Sequence, residues 1–174
     1  MRGPGRRRGG AEFGDVGPEL LADPIAFLSA EHVRQGALLG HIERLARHPE
    51  GPGSRALAQA LVEWLEVDLP RHFADEERSL HARLEPYDGE GLLHRLRADH
   101  AEEEAEMPPL IAGLRAIAAH EPPAPDFAAR ALRFATAFRA HLAIEEAEVA
   151  PLARRVLAPE VLAEIAAELA ARRE

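Results

Sequence analysis

His72 and Glu76 lie four residues apart, as do His141 and Glu145, and His100 and Glu104. On a helix, positions i and i+4 share a face with Cβ atoms about 6 Å apart. One imidazole and one carboxylate can then converge on one cation, or the carboxylate can bridge two. With 23 Glu in 174 residues, nine histidines should form about one such pair by chance, and the chain has four. The remaining pair, His81 with Glu85, starts nine residues after His72. At 3.6 residues per turn that is roughly 180° around the helix, which predicts a solvent-facing pair.

The flanking residues set the four other histidines on apolar stripes. His32 lines up with Ile25, Leu28 and Leu39, and His72 with Leu65, Leu69 and Leu80. His100 aligns with Leu93, Leu96 and Met107, and His141 with Phe134, Phe138 and Val149. A polar group facing a core is costly unless something pairs with it. Imidazole and carboxylate without thiolate suit iron, manganese or zinc. His32, His72, Glu76, His100, Glu104, His141 and Glu145 are more donors than one tetrahedral zinc uses, so two metal ions fit better. Two divalent cations against three glutamates leave one positive charge, which a bridging hydroxide would neutralise. The short runs Glu102-Glu103-Glu104 and Glu145-Glu146 each predict one inward carboxylate beside a neighbour that meets water.

Breakers divide the chain into the elements that must carry these residues. A first helix is expected from Asp23, an N-cap followed by Pro24, to His48, ended by Pro49-Glu50-Gly51-Pro52-Gly53. A second is expected from a Ser54 cap to Leu84, with Pro70 a kink or local break. The third spans Gly89 to His120 and should be kinked or interrupted at Met107-Pro108-Pro109. A fourth runs from Asp126 to Leu157, and a short fifth starts at Pro159. Nothing reads as a strand or hairpin. The expected fold is all-α: an up-down-up-down four-helix bundle over residues 23–174 with a C-terminal fifth helix, behind a disordered leader at 1–22. Two halves repeat. Ala30-Glu31-His32 answers Ala98-Asp99-His100, and His72 to Glu77 answers His141 to Glu146, at separations of 40 and 41 residues. A helix-pair repeat builds a bundle with a pseudo-twofold axis, across which matching histidines face each other.

Composition narrows the function classes. Apolar residues are 47% and aromatics 5%, a balance that suits helix packing over a β-sandwich. The absence of cysteine excludes disulfides, zinc ribbons, thiolate-held clusters and a cysteine nucleophile. Ser29, Ser54 and Ser79 sit in no hydrolase-like elbow. The net charge is −9, and the Arg-rich residues 1–12 carry +3, so the rest carries −12. An acidic body repels a phosphate backbone, so no nucleic acid partner is expected. No membrane span is expected either, and the N-terminus lacks the apolar stretch of a signal peptide, which predicts a cytoplasmic protein.

At these histidines and glutamates the chain resembles the hemerythrin-like family of HHE cation-binding domains. That family's pattern is a His on the first helix, His-x-x-x-Glu on the second, a His on the third and His-x-x-x-Glu on the fourth. His32, His72 with Glu76, His100, and His141 with Glu145 meet it, over about residues 23–157. The resemblance implies a non-haem diiron centre, oxo- or hydroxo-bridged, with Glu76 and Glu145 as bridging carboxylates and the histidines as terminal ligands; manganese or zinc could substitute. Oxygen-carrying members place a second histidine where this chain has Glu104. That exchange resembles the ligand balance of diiron enzymes and of proteins that repair iron–sulfur centres. The implied function is binding of, or reaction with, a small oxidant (oxygen, peroxide or nitric oxide) in oxidative or nitrosative stress. The oxidant is expected at an open position between His100 and His141, with Gly36 leaving space nearby. The alternatives are an iron store, donor or sensor, and a bundle that binds metal for stability alone. A monomer or weak homodimer is expected.

Overall fold

A computed structural model describes residue 14 and residues 16–174; the Arg-rich tail and most of the expected leader lie outside the described residues. Helix α1 is Pro24–Arg47. Asp23 caps it as expected, its Oδ1 accepting from the N–H of Ile25 at 3.1 Å and of Ala26 at 3.0 Å. Helix α2 runs without a break over 54–84 and α4 over 127–156, each containing π-helical turns. Between them α3 is Leu92–Ala118, and α5 is Pro159–Ala171. No strand occurs among the described residues. Helices α1 and α3 each pack on both α2 and α4, which closes the expected four-helix ring. No helix here is long and apolar enough to cross a membrane.

Three local expectations are corrected. Ser54 is the first helical residue of α2 and not its cap; Gly53, at φ 77°, holds the N-cap position. The third helix takes its cap from Asp88, whose two carboxylate oxygens accept from the N–H of Leu92 at 2.8 Å and of Leu93 at 3.0 Å. Pro108 and Pro109 do not interrupt α3. Both are exposed, as are Glu104 and Ala105, whose carbonyls lose their usual donors and can turn to water. Pro70 is also absorbed. A π turn at Trp64–Asp68 ends two residues before it, and the wider turn moves aside the carbonyl its ring would strike.

Two apolar clusters fill the bundle. One joins Leu38, Ile42, Leu61, Leu65, Leu114 and Phe138, with their neighbours at one end. The other joins Phe27, Leu28, Leu84, Leu93, Val149 and Ala153, and Ile165 and Leu169 of α5 cover it. Residues 16–22 belong to this end as well: Pro18–Ala22 forms a 3-10 turn, and Val16 and Leu21 pack on the second cluster. Charge fastens α5 in place. Asp75 on α2 is fully buried, with Arg172 Nη1 at 2.6 Å and Arg173 Nη2 at 2.7 Å from its carboxylate. Arg173 also reaches Glu31 on α1 at 3.2 Å and lies over the Phe27 ring.

Removing both arginines would leave Asp75 as a buried, unpaired charge. The Arg172→Ala/Arg173→Ala double variant should therefore lose about 3–5 kcal/mol of unfolding free energy in urea titrations. A loss below about 1 kcal/mol would show that α5 is held by its leucines and isoleucine alone.

Candidate metal centre

Between the two apolar clusters lies one polar layer. His72, His100, His141, Glu76 and Glu145 are each 2% exposed and His32 is 7% exposed. All four bundle helices contribute, and the six residues are the ones that the repeated His and His-x-x-x-Glu spacing brings together. Both glutamates begin π turns, at Glu76–His81 and Glu145–Val149. Such turns inside α-helices occur frequently at functional sites. Here the two positions are equivalent under the internal repeat.

The donor atoms form two overlapping sets. His32, His72, Glu76 and Glu145 present atoms all within 4.8 Å of one another, and so do Glu76, His100, His141 and Glu145. Glu76 divides its oxygens between them. Its Oε1 lies 3.0 Å from His32 Nε2 and 2.9 Å from His72 Nε2, while Oε2 lies 3.3 Å from His100 Nε2. Glu145 Oε2 sits 3.3 Å from His32 Nε2 and 3.4 Å from His141 Nε2. Each glutamate therefore touches both sets.

All four histidines turn their other ring nitrogen outward; three of them bond a carboxylate there, while His141 Nδ1 has no hydrogen-bond partner among the described residues. His32 Nδ1 meets Glu146 at 2.6 Å and His100 Nδ1 meets Glu77 at 2.8 Å. His72 Nδ1 meets Glu31 at 2.8 Å, and His141 Nδ1 lies 3.6 Å from Asp99. The arrangement repeats with the sequence. Each first- or third-helix histidine uses the residue after the opposite glutamate, and each second- or fourth-helix histidine uses the residue before the opposite histidine. A carboxylate at Nδ1 accepts that proton and leaves the Nε2 lone pair free to bind a cation. Glu146, expected to meet water, and Glu77 are thus partners of the buried histidines, though their side chains remain 43% and 37% exposed.

Polar atoms at the centre lack hydrogen-bond partners among the described residues: Glu76 Oε2, both oxygens of Glu145, and His72 Nε2. His100 Nε2 and His141 Nε2 point at each other across 3.0 Å. One proton can sit between those nitrogens but two cannot. This donor set, with its orphaned oxygens and opposed lone pairs, fits a metal site.

In the metal-free chain, protons carry the missing positive charge. Burial works against a charged His32, yet its hydrogen bonds to Glu146 and Glu76 raise it to about 9. His100 is likewise raised to about 9 against burial, by Glu76 first and then Glu145 and Glu77. Glu76 is held well below the usual carboxylate range by His72, His100 and His32, which together outweigh its burial.

Several site expectations change. Glu104 is exposed and stands outside both donor sets; Glu103 is the buried member of its run, raised by burial to about 7. The i+4 carboxylates of α2 and α4 begin π turns, but α3 stays α-helical after His100, and its inward side lies three residues on. Glu103 lines a cleft of about 350 Å³ between α3 and α4 that reaches His141. At the position expected for the oxidant, His100 Nε2 and His141 Nε2 are in contact. A small cavity of about 10 Å³ lies beside His32, lined by Leu28, Ser29, Leu80, Glu146, Val149 and Ala150 among others. Gly36 does not line it, and a Cβ there would meet nothing within 4 Å. His81 is fully buried and not solvent-facing. The π turn at Glu76–His81 absorbs one residue, which cuts its offset from His72 from roughly 180° to roughly 80°. The charged residue types around His81 carried no signal of that shift.

Compared with models of known families, residues 23–153 match the one described as the hemerythrin HHE cation-binding domain. No curated protein and no solved structure matches the chain.

Two outcomes follow from the geometry. His32 and His100 titrate near 9 in the folded metal-free chain and near 6.5 when unfolded, so the folded state binds more protons between those values. Metal-free stability should be full below pH 6.5 and fall as pH rises to about 9. Iron affinity should rise over the same range, because binding displaces those protons. Parallel thermal melts and chelator competition test both signs; a metal-free midpoint that rises across this window would contradict them. Separately, Glu146→Gln should weaken iron binding by about 10–100-fold at pH 7 with helicity unchanged, measured by the same competition.

Proposed function

The chain belongs to the hemerythrin HHE cation-binding domain family, and from that premise we propose that it is a non-haem diiron protein that binds or reacts with a small oxidant. The observation that carries this reading is the pair of donor sets sharing Glu76 and Glu145. Four histidines divided two and two, with two carboxylates common to both, are a dinuclear and not a mononuclear arrangement. Neutral imidazoles and carboxylates together suit iron. When bound, two irons supply a reservoir of two electrons for a small oxidant.

The protein's own part is selection and electrostatics. The cavity beside His32 has room for about one water-sized molecule, so it excludes organic substrates, and a diatomic or peroxide enters only as its wall gives slightly. Ile25, Leu28, Leu80 and Val149 make most of its wall apolar, which limits competing water. Glu146 sits at its edge, bonded to His32 Nδ1 and accepting from Ser29 Oγ at 3.1 Å, and there it can hold or pass a proton. Leu80 and Val149 follow Glu76 and Glu145 by four residues, so the turns that carry the carboxylates also close the cavity. The net charge of −9 supports a small-molecule partner over nucleic acid.

A second reading, iron storage or donation, is favoured by the cleft between α3 and α4. Asp99, Glu102, Glu103 and Glu106 line it from the surface down to His141, which suits the passage of a cation.

Anaerobically iron-loaded protein, mixed with peroxide, oxygen or nitric oxide, separates the two readings. Ala150 is half-buried on the cavity wall, and Ala150→Leu fills the space without removing a donor. Oxidant consumption should slow by about 10-fold or more in this variant while two irons remain bound. Unchanged consumption would dismiss the cavity as the oxidant's site. Rapid loss of iron to a chelator without any oxidant consumption would favour storage or donation.

A further inference from the structure

His81 is fully buried in the same layer, and neither of its ring nitrogens has a hydrogen-bond partner among the described residues. A buried imidazole with both nitrogens unused is expensive, and native structures rarely keep one without a reason. Three of the four histidines of the two donor sets bond a carboxylate at Nδ1, and the fourth, His141, has Asp99 at 3.6 Å; neither nitrogen of His81 is bonded to one. Glu145 Oε1 lies 3.5 Å from His81 Nε2. That oxygen is the one Glu145 does not share with His32 and His141. The His81 ring also lies parallel to that of His100, 5° between planes and 6.2 Å between centroids, so both rings approach from one direction.

We propose that His81 is a further protein ligand of the metal centre, on the side of His100 and His141. This rests on the diiron reading above. Two donors that share a metal at roughly 2.1 Å each stand about 3–3.5 Å apart, which is the separation of His81 Nε2 from Glu145 Oε1. The π turn that starts at Glu76 does two things at once: it holds that glutamate between the sets and rotates His81 from the solvent face to the interior. His81 does not fall within the 4.8 Å limit of the Glu76, His100, His141 and Glu145 set, so its ring must move inward to become that set's fifth donor, while the set beside the small cavity keeps four. The repeat is broken at this one position. The residue nine after His141 is Ala150, which walls the cavity.

The test is stepwise anaerobic Fe(II) titration of the full chain with chelator competition, alongside metal-free thermal melts, for wild type, His81→Gln and His81→Leu. Wild type should take up two ions. Both variants should lose affinity for one of them by about 100-fold and keep the other within about threefold. His81→Gln retains an N–H that can bond Glu145, so a histidine acting only through that carboxylate would be rescued by Gln, which would overturn the proposal. His81→Leu removes an unsatisfied polar group, so its metal-free melting midpoint should rise. A lower midpoint with iron uptake unchanged would mark His81 as a core residue and overturn the proposal alone. Wild type that takes up fewer than two ions would overturn the diiron reading, and this proposal with it.

Discussion

The whole bundle is organised around a charge problem. Two carboxylates and four imidazoles are buried between two apolar clusters, where an uncompensated charge is among the most destabilising things a fold can hold. Compensation must come from protons or from metal ions. The metal-free chain uses protons, which is why His32 and His100 are raised to about 9 while Glu76 is held low. The protonated form remains poorly satisfied, with glutamate oxygens unpartnered and two histidine nitrogens opposed at 3.0 Å. Cations placed between the shared carboxylates would answer both defects.

Around that layer the fold supplies three kinds of support. Apolar clusters above and below fix the helices that carry the donors. An outer ring of Glu31, Glu77 and Glu146 fixes ring orientation and tautomer at three of the histidines. The C-terminal helix reaches the same ring, because Arg173 holds Glu31 and Asp75 together while Glu31 holds His72. A disturbance at α5 is therefore expected to be felt at a ligand and not only in stability.

Much of this was legible in the residues. Proline and glycine clusters marked the helix ends, and a repeat with separations of 40 and 41 residues placed four histidines and two glutamates at equivalent positions. What was not legible traces chiefly to helix phase and to tertiary bonds. A 3.6-residue period assumes an unbroken α-helix, and the π turns at Glu76 and Glu145 change the phase of everything that follows on their helices. Thus His81 was expected in solvent and is buried. The opposite error occurred on α3, where the i+4 pairing of the other helices was carried over to Glu104 although no π turn follows His100; Glu103 faces inward instead. The acidic residue beside the donor in Glu145-Glu146 reads as solvated surface because its exposure is real, and Glu77 carries no sequence signal of its own. Their bonds to histidines on the neighbouring helices are tertiary and leave no local pattern.

The central claim is that Glu76 and Glu145 are shared between two metal ions. X-ray absorption on the iron-loaded chain tests it most directly, because scattering from a second iron reports the sharing itself. The expected result is a mixed nitrogen and oxygen shell with an iron–iron vector of roughly 3.5 Å. An iron shell of the same composition with no second iron in the scattering, at a stoichiometry of one per chain, would contradict it.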